Sequence, residues 1–149
     1  MLLYLFNINN VIIYNNASVM TKKSFPIYIP NQYIEPLNEN LKALIKKANA
    51  KGGLFILEKK YLFNAIINKV GAVDPVEYYK DFRYKKELGI KTNARLTKKN
   101  EELFGRNMTL LKEYADSHGH HQPTTKSLFY YMLAKGLPIS LDEIIKALL

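Results

Sequence analysis

Three residues with side chains suited to binding DNA bases occupy alternate positions in one short segment: Lys91, Asn93 and Arg95. Ala94 and Leu96 alternate with them, so an extended backbone would place the apolar pair on one face and the polar trio on the other. Arg and Lys donate to guanine O6 and N7, and Asn forms paired hydrogen bonds with adenine N6 and N7. The alternation fits a base-reading strand or a polar strand face that is merely solvated, and both interpretations stay open.

An earlier segment has the same two-residue period and predicts a second half-buried strand. Its apolar and polar positions alternate in the order Ser24, Phe25, Pro26, Ile27, Tyr28 and Ile29. We expect Ser24 and Tyr28 to face bases as well, with Tyr28 contacting thymine methyl groups or phosphate. Because strands this short cannot satisfy their own edges, we expect the two to pair as an antiparallel ribbon.

A helix start that could hold phosphate is indicated by Thr124, Thr125 and Lys126, directly after Pro123. Thr is a good N-cap, and the first amides of a helix, with its positive dipole end, attract anions. Such contacts position a protein on DNA without reading its sequence. Glu58 begins the corresponding segment earlier in the chain, with an opposing charge. The other lysines expected to contact phosphate are Lys59, Lys60, Lys22 and Lys23.

The composition favours a polyanionic partner and excludes cysteine chemistry. The chain of 149 residues has a net charge of +9, which points to nucleic acid before anionic membrane. There is no cysteine, so disulfides, cysteine nucleophiles and thiolate metal sites are impossible. This composition is compatible with a reducing, intracellular location, and we expect no cofactor. The apolar content of 48% is enough for a packed core.

A histidine cluster, His118, His120 and His121 beside Asp116, offers an enzymatic alternative. These residues could bind a metal in a nuclease, or they could form an ordinary polar turn. No second carboxylate cluster, glycine-rich phosphate loop or nucleophile motif is present to complete a catalytic site. We therefore predict a protein that is not an enzyme and has no metal site.

The chain contains an internal repeat. When the sequence is compared with itself at an offset of 67 positions, similar residues align as far as a shared glycine. Beyond that glycine the offset is 66, as if the second copy had lost one residue in a loop. The first set of matches is Ile29 with Leu96, Leu37 with Phe104, Leu41 with Met108, Leu44 with Leu111, Ala48 with Ala115 and Gly52 with Gly119. The second set is Lys60 with Lys126, Leu62 with Leu128, Phe63 with Phe129, Ile66 with Met132, Ile67 with Leu133 and Lys69 with Lys135.

Each copy of the repeat predicts strand, helix, turn, helix. Apolar residues at helical spacing over 34–48 indicate the first helix, which Gly52 and Gly53 end. A second helix is expected over 58–70. In the second copy the long helix covers 98–117 and the last helix follows Thr124.

Segments outside the repeat have signals of their own. Residues 1–20 form an apolar extension in which 2–6 and 11–14 read as a hairpin. A connecting helix over 72–90 is predicted from Asp74 as N-cap, Pro75 at the first helical position and Gly89 as C-cap.

A C-terminal helix over 138–149 is predicted from the capping box of Ser140 and Glu143. It has an apolar stripe, formed by Leu141, Ile144, Ile145 and Leu148. This stripe packs on the body of the protein or, alternatively, serves as a dimerisation helix.

Each copy consists of a strand segment, a helix, a glycine turn and a second helical segment. The strand and second helical segments are KSFPIYIP and LFNAIINKV in the first copy, and KTNARLT and SLFYYMLAKG in the second. The pattern covers about three quarters of the chain and resembles the ribbon-helix-helix superfamily of DNA-binding regulators. Its tandem form, with many Asn and Lys residues, is similar to regulators of archaeal filamentous viruses. Pro26 and Tyr28 depart from the family, which usually has polar or basic residues there.

The resemblance implies a mainly α fold with a short antiparallel β-ribbon. Two tandem units, 21–71 and 91–137, would form an intramolecular pseudo-dimer whose ribbon enters the major groove of double-stranded promoter or operator DNA. We accordingly expect a transcription regulator that self-associates on DNA. We also expect no membrane contact and a location in the host cytoplasm. The alternatives are a non-specific nucleic-acid coating protein and an antitoxin-like interaction module.

Overall fold

The computed structural model describes residues 4–8, 11–15, 23–50, 58–81 and 88–148, and these form a mainly helical protein with short antiparallel strand pairs. Near the N-terminus, β1 (Tyr4–Ile8) pairs with β2 (Val11–Asn15), which confirms the predicted hairpin, while residues 2 and 3 of its first strand lie outside the described residues. The chain then forms β3 (Phe25–Pro30), α1 (Asn31–Ala50), α2 (Lys59–Val70), α3 (Pro75–Asp81), β4 (Gly89–Ala94), α4 (Lys98–His118), α5 (Thr125–Gly136) and α6 (Leu141–Leu148).

The two predicted strands pair with each other, as the sequence indicates. β3 and β4 are antiparallel, with Phe25 opposite Ala94, Pro26 opposite Asn93 and Tyr28 opposite Lys91. The buried face of this ribbon includes Ile27, Ile29 and Ala94. The prediction of a mainly α fold with a short ribbon is therefore confirmed.

Helix α2 lies at the centre of the core. All seven residues from 61 to 67 are buried, so this helix is covered around its whole circumference. It contacts α4, α5 and α6, and α5 in turn packs against β3. The consequence is that helices from both halves of the chain cover one face of the ribbon together.

Capping residues define the ends of α4 and the start of α5. Thr97 caps α4 by accepting a hydrogen bond from the Asn100 amide, and Gly119 ends the helix in the left-handed conformation, with a φ of 67°. The predicted N-cap of α5, Thr124, forms a reciprocal capping box with Ser127. These ends fix where the exposed turns begin.

The C-terminal helix packs on the body of the protein. Ser140 and Glu143 form the predicted capping box through bonds of 3.1 and 3.2 Å. Leu141 and Ile144 are buried, and the helix lies against α2. Its apolar stripe is thus used within the chain, which favours the first of the two interpretations above.

The connecting segment differs from its prediction. Asp74 does accept a hydrogen bond at the start of α3, from the Val76 amide. Gly89 is not a helix C-cap, however, but the first residue of β4, opposite Pro30. A Cβ atom at position 89 would lie 2.3 Å from the Ile29 carbonyl oxygen, so close strand pairing requires this glycine. Strand β4 therefore begins at 89. Residues 82–87 of the predicted connecting helix, and the predicted helix end at Gly52 and Gly53, lie outside the described residues.

Candidate nucleic-acid interface

The predicted trio lies on one exposed face of the ribbon. Lys91 and Asn93 are exposed in β4, and Arg95 is exposed one residue beyond its end, whereas Ala94 and Leu96 are buried. The two-residue period thus places the three polar side chains as predicted. The side of β3 and β4 that carries Lys91, Asn93 and Arg95 is named the ribbon face.

Strand β3 adds a different set of side chains to the ribbon face. Ser24, directly before the strand, and Pro26 are exposed, while Tyr28 is half-buried. Lys23 is exposed next to them, and Lys22 lies outside the described residues. Pro26 has neither an amide N–H nor a polar side chain, so its contribution to the ribbon face is apolar.

One end of the ribbon face carries the start of α5. Lys126 Nζ lies 3.8 Å from the centre of the Tyr28 ring, a cation–π contact. Tyr28 stands opposite Lys91 in the register, so Lys91 lies on the same face of the ribbon as this ring. This group of residues is called the Tyr28 end. The structure brings together a predicted base reader and a predicted phosphate ligand that the sequence places almost 100 residues apart.

The other end of the ribbon face carries the start of α2. Ser24, Asn93 and Arg95 line one depression together with Glu58, Lys59 and Lys60, and this group of residues is called the Arg95 end. Lys60 Nζ forms an ion pair of 3.1 Å with Glu58, which offsets part of the positive charge. Lys59 is exposed at the first position of the helix. Predicted phosphate ligands therefore lie at both ends of the ribbon, Lys59 and Lys60 at one end and Lys126 at the other.

The start of α5 is rigidly built. The Thr124 hydroxyl accepts a hydrogen bond from the Ser127 amide at 3.0 Å, so it serves the cap. Ser127 Oγ accepts from the Thr124 amide at 2.8 Å and from the Tyr78 hydroxyl at 2.9 Å. Burial raises the pKa of Tyr78 from 10.0 to about 12, although the bond to Ser127 acts in the opposite direction. Tyr78 thus stays protonated and holds the cap, while Thr125 and Lys126 remain exposed.

A buried asparagine, which the sequence interpretation missed, supports Arg95. Asn64 Nδ2 donates to the Arg95 carbonyl at 3.2 Å, and Asn64 Oδ1 accepts from the Thr97 amide at 2.8 Å. The same oxygen accepts from Asn100 Nδ2 at 3.0 Å. The available signal was a single amide within the apolar run of α2, where a buried polar group needs partners. These bonds fix the backbone on both sides of Leu96.

The histidine cluster is part of an aromatic stack. His120 stacks on Tyr79 with ring centres 4.6 Å apart, and His118 stacks on Tyr114 at 3.9 Å. The Tyr79 hydroxyl donates to the His121 carbonyl at 2.8 Å, tying the turn to α3. Within the described ranges, no group of three or more His, Asp or Glu side chains is arranged to hold a metal ion.

In the part of the chain that the structure describes, no helix has both the length and the apolar character needed to cross a membrane. Comparisons with protein-family models, with curated proteins and with solved structures found no match to this chain.

Proposed function

We propose that this protein is a sequence-specific regulator that binds double-stranded DNA through the β3–β4 ribbon, with its two strand–helix–helix units forming an intramolecular ribbon-helix-helix pseudo-dimer. The observation that carries the proposal is the ribbon face itself. Antiparallel pairing exposes Lys91, Asn93 and Arg95 together, and a basic helix start flanks each end of the face. The resemblance of the sequence to the ribbon-helix-helix superfamily remains part of the proposal.

The strand register agrees with the repeat in the sequence. A shift of 67 makes Pro26 equivalent to Asn93, and these two residues stand directly opposite each other in the ribbon. When two equivalent units are related by a twofold axis, a residue can face its own equivalent only close to that axis. The pair therefore supports a twofold relation centred on the ribbon.

Two further pairs of equivalents meet in the core, at the shift of 66. The rings of Phe63 and Phe129 contact edge to face with centres 5.7 Å apart. A Cβ atom on Gly136 would lie 3.5 Å from a methyl carbon of Val70, its equivalent. Repeat-related residues thus meet in the ribbon and again where α2 packs on α5, as the pseudo-dimer requires.

The dimensions and chemistry of the ribbon face suit the major groove. A two-stranded ribbon fits that groove and presents alternate side chains to base edges. Arg95 and Lys91 have donors for guanine, and Asn93 has the donor and acceptor that match adenine. The starts of α2 and α5 would then meet the phosphates on either side, where first-turn amides and lysines attract anions.

Selection from a pool of random duplexes tests the proposal. We expect a defined sequence to be enriched, and we expect binding to it at least about 10³-fold tighter than to random duplex at physiological salt. A matched pair of variants, Arg95→Ala on the ribbon face and Lys42→Ala on α1, separates ribbon binding from general charge. No enrichment, with equal affinity for all duplexes, would instead indicate a nucleic-acid coating protein.

Regulation and assembly follow from the selected site. Placed at a promoter, that site should make in vitro transcription depend on the protein, and stepwise mobility shifts would report self-association on DNA. An antitoxin-like module would show a tight protein partner together with DNA binding. Activity on DNA that needs added divalent metal and is lost in His120→Ala would contradict a purely binding role.

A further inference from the structure

We propose that the DNA site of this protein is non-palindromic and that the chain binds it in a single orientation. This inference rests on the proposed function and specifies its target. A dimer of identical chains presents the same residues to both half-sites, so its operator mirrors the twofold symmetry of the protein. Here the fold is that of a pseudo-dimer, but the residues that face DNA are different in the two halves.

Every outward position of the ribbon is chemically asymmetric. The shift of 67 relates Ser24 to Lys91, Pro26 to Asn93 and Tyr28 to Arg95. No pair is identical, and no pair shares a charge or a base-reading group. Part of the core behaves in the opposite way, since Phe63 meets Phe129 and Leu62 corresponds to Leu128. These packing positions are alike in the two copies, whereas the positions of the ribbon face differ.

The centre of the ribbon face reads bases from one strand of the ribbon only. Asn93 presents an amide that can bind an adenine, whereas Pro26 opposite it offers no hydrogen-bond donor. In a symmetric ribbon the central position would carry the same side chain twice and would fit a self-complementary step. The single central amide instead favours an adenine on one side of the site.

The two ends of the ribbon face differ in the side chain that can bind a base and in the residues that hold the backbone of that side chain in place. At the Arg95 end a guanidinium suited to bidentate binding of guanine follows a backbone that Asn64 holds through the Arg95 carbonyl. Asn64 is equivalent to Tyr130, which instead accepts a hydrogen bond from Gln32 and contacts Tyr33 edge to face. The two equivalents therefore differ in burial and in partners, because Asn64 is buried and Tyr130 is half-buried.

At the Tyr28 end, Lys126 already covers the Tyr28 ring, and Lys91 supplies a point charge where the other end has a planar fork. A lysine restricts base identity less than a bidentate arginine does. We therefore expect the half-site under the Arg95 end to contain the strictest guanine position and the half-site under the Tyr28 end to be more tolerant.

Symmetrised duplexes test the inference with the unmodified protein. The selected site is compared with two palindromes, one made from each of its halves. The expected result is that the native site binds about tenfold or more tighter than either palindrome, because each palindrome presents mismatched base pairs to one end. A palindrome that binds as tightly as the native site, or a palindromic consensus from the selection, would overturn the inference and leave the proposed function standing. Failure to select any sequence would refute the proposed function itself.

The absence of cysteine allows an independent test of orientation. Lys59→Cys at the start of α2 and Thr125→Cys at the start of α5 are exposed positions that accept an iron–EDTA label. On an end-labelled selected duplex, each conjugate should cleave one flank, and the two conjugates should cleave opposite flanks. Cleavage of both flanks to equal extents by each conjugate would show binding in both orientations and would refute the inference.

Discussion

The ammonium group of Lys126 lies 3.8 Å above the ring of Tyr28, and the contact joins the last third of the chain to strand β3. Lys126 belongs to the first turn of α5, so the contact fixes a helix start against the edge of the ribbon. Cation–π pairs at exposed sites contribute about 0.5–1 kcal/mol, which is enough to favour one placement of a long side chain. The charge is therefore held at the border between the ribbon face and the phosphates expected beside it.

Replacing Lys126 with alanine should weaken binding to all duplexes alike. Phosphate contacts act without regard to sequence, so the ratio of specific to random affinity should not change. Loss of one counterion-releasing contact should flatten the slope of log affinity against log salt by about one unit. Titrations at several salt concentrations measure both quantities, with Lys42→Ala, an exposed lysine of α1 beside Glu39, as the control. A loss confined to the selected duplex would contradict a phosphate role.

Replacing Arg95 or Asn93 with alanine should affect the selected site above all. Each change is expected to cost about 1–3 kcal/mol on that site and to relax base choice at one position. The physical reason is that bidentate hydrogen bonds to base edges are lost while the phosphate contacts remain. Binding to a set of single-base variants of the selected duplex measures the relaxation. Equal losses on selected and random duplexes would argue that the residue is a solvated or backbone-binding side chain.

The sequence was sufficient for most of the described elements and for the pairing of β3 with β4. Alternation about Ile27 and Ala94, the glycine at 119 and the capping signals of Thr124 and Ser140 are local properties, and each predicts its element directly. Pairing followed because two short strands with unsatisfied edges lie in equivalent positions of a repeat. The exposed placement of Lys91, Asn93 and Arg95 followed from the same two-residue period.

The features that could not be predicted from the sequence depend on how the elements pack together in the folded protein. Gly89 resembled a helix C-cap because a glycine after a charged helix usually is one, whereas close strand pairing is what requires it here. The bonds from Asn64 to the Arg95 carbonyl, and the position of Lys126 over Tyr28, connect segments whose distance is set only by the assembled core. Side-chain contacts of this kind have no periodic signature.

Two glycine substitutions should change stability in opposite directions. Gly89→Ala would place a methyl carbon 2.3 Å from the Ile29 carbonyl oxygen, so the strands must separate, at an expected cost of about 1–3 kcal/mol. Gly105 is exposed within α4, and among the described residues beyond its own turn of helix no atom would lie within 4 Å of a Cβ, so Gly105→Ala should stabilise the protein by about 0.5–1 kcal/mol. Denaturant unfolding of both variants beside the parent protein measures the difference. Equal midpoints for the two variants would show that the ribbon tolerates a side chain at 89.

Replacing Tyr78 with phenylalanine should change how stability depends on alkaline pH. Burial is the main cause that raises the pKa of Tyr78 to about 12, whereas an unfolded tyrosine titrates near 10.0. Between these values the unfolded chain has lost the proton and the folded protein keeps it. The unfolded state therefore binds fewer protons, so stability is fully present below pH 10 and falls as the pH rises toward 12.

In Tyr78→Phe this one-proton contribution is absent. Near neutral pH the variant should be less stable by about 0.5–1.5 kcal/mol, because the hydroxyl no longer donates to Ser127 in the cap of α5. Between pH 10 and 12 its free energy of unfolding should fall less steeply than that of the parent, by up to about 1.4 kcal/mol per pH unit. Urea unfolding at pH 8, 10, 11 and 12 measures both effects. Parallel curves for the two proteins across that range would show that Tyr78 does not titrate differently in the folded and unfolded states.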